Sequence, residues 1–256
     1  MKLRILFLAP LVVACQANTM RWHHDSTGAV MVGATAGSQI GTPSFELGLA
    51  NGVEPNDGNA PAPSFGGQAE SDCHAEMAAG LHAEVFVTHN LSLGLGYQQL
   101  SFDPEPMNLG SIGLPLDVSS HDVNRFLLTG RLWSEPLGPH KRTRLWLGGN
   151  FGYSHNVETT GSIRTPNQGG PGLHDSSFSY KGSDILTAGV GVGASFLLVR
   201  NLVLDLGLGY ETSLDTSSGD LRFTNGAADA PSSVFQYDAD TDYEALTLGF
   251  QLSWLF

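Results

Sequence analysis

Cysteine is almost missing from this chain, which holds two, Cys15 and Cys73. Cys15 sits in the N-terminal segment, so no intramolecular disulfide framework is available to the mature chain, and a disulfide-stapled scaffold is excluded. Charge is scarce as well: Asp, Glu, Lys and Arg make up 14% of the residues, against about a quarter in ordinary globular proteins. Basic residues are the scarcest, 12 against 25 acids, for a net charge of -13. That balance speaks against a nucleic-acid partner, whose phosphates would be repelled. Long apolar runs are lacking beyond the N-terminal segment. No stretch of about 18 apolar residues follows it, so no transmembrane helix is expected.

Recognisable chemical motifs are missing too. The glycine run GVGVG at 189–193 lies within an alternating stretch and precedes no helix, so it is wall rather than a phosphate loop. Asp238, Asp240, Asp242 and Glu244 begin like a calcium loop, but Tyr243 and Gly249 stand where glycine and glutamate are required. His23 and His24 lie in a linker-like stretch and point to nothing specific. No metal site, cofactor or catalytic residue is assigned.

What the chain does contain is glycine, 32 residues of it, in clusters with Pro, Ser, Asn and Asp that punctuate short apolar stretches. Many strands joined by turns are the natural reading, and 256 residues suffice for one large all-β domain or two small ones. The first 17 residues, MKLRILFLAPLVVACQA, have the form of an export signal: Lys2 and Arg4, then an apolar core from Ile5 to Ala14 too short to span a bilayer. Val12-Val13-Ala14-Cys15 is lipobox-like and favours lipidation at Cys15; cleavage after Ala17 is the alternative. Residues 18–26 then read as a short linker.

Eight alternating segments follow, at 27–37, 75–87, 90–100, 122–133, 143–155, 184–198, 201–212 and 242–256. The connections alternate between short turns (88–90, 135–142 and 199–201) and long stretches (38–74, 101–121, 156–183 and 213–241). Phe45 to Leu49 is read as part of the first long loop, since one further strand would break the even count. Within each segment one parity is apolar: Leu202, Leu204, Leu206, Leu208 and Tyr210 oppose Val203, Asp205, Gly207, Gly209 and Glu211. A soluble sandwich also alternates, but its outer face carries many Lys and Glu. Here the second face carries Gly, Ser, Thr, Asn and Gln, which suit the crowded lumen of a narrow barrel. Eleven residues tilted in a membrane rise roughly 26 Å, the height of a lipid-facing band. Tyr97, Phe151, Tyr153 and Tyr210 fall at the outer ends of their segments and Trp254 and Phe256 at the inner end, the places of two aromatic girdles.

The four long stretches carry fifteen acids against three basic residues, Arg164, Lys181 and Arg222. An acidic outer rim attracts cations and repels anions. Lys141, Arg142, Arg144 and Arg200 gather in or beside the short turns, where anionic lipid head groups would meet them. Parity sends His82, Glu84, Arg125, Arg131, Asp205 and Glu211 into the lumen, Arg125 and Glu211 toward the outside and Glu84, Arg131 and Asp205 toward the periplasm. Charges in so narrow a space must pair or stay wet, so an ion-pair network plugging the interior is expected. Ser120, Asp122 and His155 are placed together on the outward face at the outer leaflet, where a lipid-modifying enzyme would need a nucleophile, acid and base; no enzyme motif surrounds them.

The terminal stretch LTLGFQLSWLF, with Leu248, Phe250, Leu252, Trp254 and Phe256 on one parity, together with the short-turn, long-loop rhythm, resembles the small outer-membrane β-barrel superfamily of the OmpA, OmpX and OmpW type. The resemblance covers residues 27 to 256. It implies an all-β fold: an eight-stranded antiparallel transmembrane β-barrel with short periplasmic turns, long extracellular loops and those five residues as the assembly signal. It further implies a bacterial outer-membrane location, monomeric state, contact with outer-membrane lipids and lipopolysaccharide, and recognition by the barrel assembly machinery. The function it implies is a non-enzymatic structural or surface-interaction role, with a narrow channel for small or hydrophobic solutes and a lipid-modifying enzyme as alternatives. The lipobox-like Cys15 departs from the family pattern. No peptidoglycan-binding domain follows the last strand in this sequence, so a cell-wall tether is not expected.

Overall fold

Strict alternation of apolar and small polar residues satisfies a wall with lipid on one side and a packed lumen on the other, and the chain folds accordingly. The computed structural model describes residues 22, 26–47, 67–70, 76–102, 105–109, 114–166, 173–224 and 234–256. The export segment, Cys15, His23, His24 and Cys73 lie outside the described residues. The described residues form twelve strands: β1 (Val30–Leu47), β2 (Gly67–Glu70), β3 (Glu76–Thr88), β4 (Leu91–Phe102), β5 (Met107–Leu109), β6 (Leu114–Trp133), β7 (Thr143–Pro166), β8 (Leu173–Gly182), β9 (Ile185–Val199), β10 (Leu202–Ser213), β11 (Ser217–Thr224) and β12 (Val234–Leu255).

Eight of them, β1, β3, β4, β6, β7, β9, β10 and β12, pair antiparallel in succession. The ring closes where β12 pairs β1 in unbroken register from Met31↔Leu255 to Leu47↔Ala239. Phe256 extends this seam, its N–H donating to the Val30 carbonyl at 2.8 Å. Closing the eight staves into a ring removes the open sheet edges that a hydrocarbon environment does not tolerate.

The membrane portions of the staves start and stop within a few residues of the alternating segments. Above the outer end the wall continues. β6, β7 and β12 run 20, 24 and 22 residues, about twice the 9–11 a membrane crossing needs. β1 runs without a break through Phe45 to Leu47, so this stretch is strand rather than loop. β8 pairs the upper part of β7, β11 pairs the upper part of β12, and β8 and β11 pair each other. They prolong β9 and β10 above short breaks at 183–184 and 214–216. Asp215 accepts from the Leu186 N–H at 2.7 Å and Ser183 accepts from the Ser217 hydroxyl at 2.7 Å, tying the two breaks together. Long stretches expected as loops are therefore partly a protruding β crown. The periodic signal is weaker above the lipid boundary because the crown buries only scattered apolar residues, such as Leu116, Val118, Phe178 and Tyr180, and its outward face is polar rather than apolar.

The outward parity of the membrane portion is apolar and exposed, as at Leu81, Leu95, Phe126, Leu147, Val190, Leu208, Leu248 and Phe250. A belt of this kind around a whole ring is a lipid-facing surface, not the surface of a soluble monomer. The expected girdle residues Tyr97, Phe151, Tyr153, Tyr210, Trp254 and Phe256 all belong to it. The core is the lumen.

Candidate functional site

The lumen is built in layers. At the periplasmic mouth Trp22, Met31, Phe86, Trp133, Leu197 and Val203 form a buried cluster. The rings of Phe86 and Trp133 lie 5.3 Å apart, and Trp22 sits 6.4 Å and 6.1 Å from them. Trp22 lies in the stretch read as a linker and is only 2% exposed, so this residue is part of the barrel's interior packing. Arg144 is also fully enclosed. Its guanidinium donates to the carbonyls of Ser134 (2.8 Å) and His89 (2.6 Å) and to Asn90 Oδ1 (3.1 Å). It lies 5.5 to 5.6 Å from the Trp22, Phe86 and Trp133 rings. Of the basic group assigned to the turns, Lys141, Arg142 and Arg200 are exposed, but Arg144 faces inward because it is already the second residue of β7.

Above this lies a polar hub centred on Arg131. Its Nη1 is 2.9 Å from Asp205 and 3.3 Å from Glu84, and its Nη2 donates to Gln251 Oε1 at 3.3 Å. Trp146 Nε1 donates to the other Asp205 oxygen at 2.6 Å, and the Arg131 guanidinium rests 4.4 Å from the Trp146 ring. Glu84 accepts from Ser92, which itself accepts from Trp133 Nε1 at 2.6 Å. Gln251 Nε2 lies 2.7 Å from His82 Nε2, so that ring nitrogen accepts.

The next layer is a chamber of about 170 Å³. Its origin is a row of lumen positions without side chains: Gly193, Gly207, Gly249 and Gly37 are register partners across four adjacent staves. Trp146 lies flat over one end of this row, where a Cβ on Gly207 would meet its ring at 2.8 Å. At Gly249 a Cβ would meet nothing within 4 Å. Thr35, Thr129, Asn150 and Thr247 complete the walls. Over the chamber Arg125 pairs with Glu211, which also accepts from Thr187 Oγ1 at 2.7 Å. A small apolar layer of Ala78, Leu100, Val123, Ile185 and Ala245 caps the stack.

All six residues expected in the lumen are thus inside it, but as two units. Glu84, Arg131, Asp205 and His82 meet in the lower one, and Arg125 and Glu211 form the upper one, with the chamber between. The sequence reading missed the aromatic plug, Arg144 and the hub role of Gln251. Parity alone placed Gln251 and Trp146 inward, yet nothing in it said that they reach Arg131 and Asp205 from distant staves.

The outward group does not assemble. Asp122 faces Glu158 and Ser120 faces Thr160 across the β6–β7 ladder, while His155 faces Asn124. Two bulges, at Val118/Ser120 and Asp122/Asn124, displace the register that alternation assumed. His155 Nδ1 is 2.6 Å from Asp184 instead, and Tyr153 also donates to Asp184. Among the described residues no group of three His, Cys, Asp or Glu side chains is placed to hold a metal.

No protein-family model matches the sequence, and no curated protein matches it. Among solved structures the chain is similar to the outer membrane protease OmpT from Escherichia coli, at 13% identity over 93% of this chain and 100% of that one, TM-score 0.47. It is also similar to OprG from Pseudomonas aeruginosa, at 13% identity over 88% and 96%, TM-score 0.45. A third is Neisserial surface protein A, at 13% identity over 88% and 97%, TM-score 0.39. Likenesses this distant assign no function. Its own geometry, a closed ring of eight antiparallel staves with an apolar outer belt and a polar, layered lumen, makes this chain a small eight-stranded transmembrane β-barrel.

Proposed function

We propose that the protein is a bacterial outer-membrane barrel that does not conduct, with a non-enzymatic structural or surface-interaction role carried by its extracellular crown. One observation carries this reading: buried layers lie on both sides of the chamber, the Trp22 cluster with the Arg131 hub below and the Arg125–Glu211 pair with its apolar layer above. A pathway for solutes needs a continuous lining. Here buried side chains on both sides of the chamber speak against such a lining. The crown is the part left free to act, and the side chains of Asp117, Glu158, Asp215, Asp242 and Glu244 are exposed on it or at its base. These acids favour cations and cationic groups on a partner, and divalent ions shared with lipopolysaccharide phosphates are within that chemistry. Lipids at the belt and the barrel assembly machinery at the terminal strand are the other partners this reading includes.

The test is conductance in planar bilayers. Wild-type protein should be nearly silent, and Arg131→Ala, which removes the centre of the lower closure, should show a new conductance. A steady, large wild-type conductance would overturn the reading. The chamber favours a second function, passage of small or hydrophobic solutes through a lumen that opens only transiently. Catalysis on outer-leaflet lipids keeps only His155 with Asp184, since Ser120 and Asp122 lie elsewhere on the ladder. An assay for deacylation of lipid A or phospholipid, abolished in His155→Ala, would be needed to restore it.

A further inference from the structure

On the outward face of the wall, at the level of the outer aromatic girdle, Tyr97, Phe126 and Tyr153 are register partners on β4, β6 and β7. All three are exposed, and the Tyr97 and Phe126 rings lie 5.3 Å apart. Two residues higher the same staves carry Gln99, Asn124 and His155, again register partners. This upper row ends on Asp184, the residue just ahead of β9. An aromatic tier therefore carries a polar one, side by side across adjacent staves.

Bonds between the tiers decide what the upper row offers. The Tyr97 hydroxyl donates to Asn124 Oδ1 at 2.8 Å, and the Tyr153 hydroxyl donates to Asp184 Oδ2. Asp184 Oδ1 lies 2.6 Å from His155 Nδ1, and the His155 ring stacks on Tyr153 with 12° between the planes. A carboxylate at that distance takes the Nδ1 proton, so in the neutral ring Nε2 keeps its lone pair. Neither His155 Nε2 nor Asn124 Nδ2 has a partner among the described residues. One end of the row is thus an acceptor beside a negative charge, and the other is an amide N–H. A lone anion would meet Asp184, and a lone cation would leave the amide donors unused. A ligand with an ammonium and a phosphate a few atoms apart satisfies both ends.

We propose that this two-tiered shelf binds the head group of an outer-leaflet lipid that carries a primary ammonium beside its phosphate, phosphoethanolamine in the simplest case. The ammonium donates to His155 Nε2 next to the Asp184 charge, and the phosphate accepts from Asn124 Nδ2. The rings of Tyr97, Phe126 and Tyr153 meet the glycerol and the upper acyl chain. The occupant is a lipid because the shelf is continuous with the apolar belt: Leu128 and Phe151, both exposed, carry the aromatic tier downward on β6 and β7. A trimethylammonium has no N–H for Nε2, and a glycerol head group has no cation for Asp184, so both are discriminated against. The inference rests on the outer-membrane, lipid-contact part of the reading above and holds whether or not the lumen conducts.

The experiment places the wild-type barrel in nanodiscs of phosphatidylcholine with a minor fraction of phosphatidylethanolamine or phosphatidylglycerol, and counts the retained lipids by native mass spectrometry. The ethanolamine lipid should be retained about fivefold over the other two, the size of an ion pair at a solvent edge. Asp184→Asn and Asn124→Leu should each reduce that preference while leaving the folded, heat-modifiable band intact. A second arm labels histidine with nitrogen-15 in the wild type. The His155 Nε2 resonance, assigned through His155→Gln, should move upfield when phosphatidylethanolamine is added and stay in place with phosphatidylglycerol. Equal retention of the three head groups, retention indifferent to both substitutions, or a stationary Nε2 resonance overturns the shelf. A barrel without head-group preference that still inserts in the outer membrane of cells sinks the shelf alone; a barrel absent from that membrane sinks the reading beneath it.

Discussion

Arg131 shows how a lumen charge is made tolerable. A guanidinium has a planar fork of donors, and this one reaches Asp205, Glu84 and Gln251 from a single position while resting on the Trp146 ring. Removing it leaves two buried carboxylates sharing one site. Arg131→Ala should therefore lower the unfolding free energy by about 3–5 kcal/mol, the cost of breaking a buried pair from one side, as read by urea unfolding in vesicles. Arg131→Lys should recover only part of it, because a point charge cannot serve all three acceptors. The glycine row makes a paired test. Gly207→Ala drives a methyl into the Trp146 ring and should cost about 1–3 kcal/mol, an overpacking penalty, whereas Gly249→Ala enters open chamber and should be close to neutral. Equal losses from the two would mean that the chamber is not empty at Gly249.

The terminal strand is the element with two tasks. β12 closes the ring against β1 and β10, and it presents Leu248, Phe250, Leu252, Trp254 and Phe256 to the outside. Phe256 is 72% exposed, and its backbone bonds to Val30 do not involve the ring, so the ring adds little to the folded wall. Deleting Phe256 should leave the melting temperature of refolded barrel nearly unchanged while reducing the heat-modifiable, folded band in outer-membrane fractions. Undiminished insertion in cells would count against its role as an assembly signal. β9 and β10 make a different case. Their upward continuations are legible only in the structure, because Asp215 and Ser183 stitch the breaks across residues distant in sequence.

At the scale of the whole molecule, the wall is a closed ring of eight staves, and the proposed role places the chemistry on the crown above it. If both closures hold, vesicles carrying the wild-type protein should not swell in small sugars, even at high protein-to-lipid ratio. Swelling at the rate of an open channel would show that one closure is permeable. The crown extends the wall beyond the hydrocarbon by prolonging the same staves, so the acidic surface stands on paired strands. That rigidity suits a contact surface better than a flexible brush, since less order must be imposed on binding.

Alternation by itself determined the class of fold, the number of staves, the inward and outward parity of each membrane residue and the even count that keeps both ends on one side. Those follow from local geometry, because a strand sends successive side chains to opposite faces and lipid and lumen demand different chemistry. Phe250 and Gln251 could be assigned to opposite faces with no structure at all. Only the closed ring decided which inward residues meet. Arg131 and Gln251 are 120 positions apart, and the contact depends on register, tilt and closure together. Only the ring, too, showed that Trp22 enters the mouth, that Arg144 turns inward, that bulges part His155 from Ser120 and Asp122, and that the polar crown is strand. Each of these depends on partners remote in sequence or on short stretches where few apolar residues mark the inner face, and neither leaves a long periodic trace.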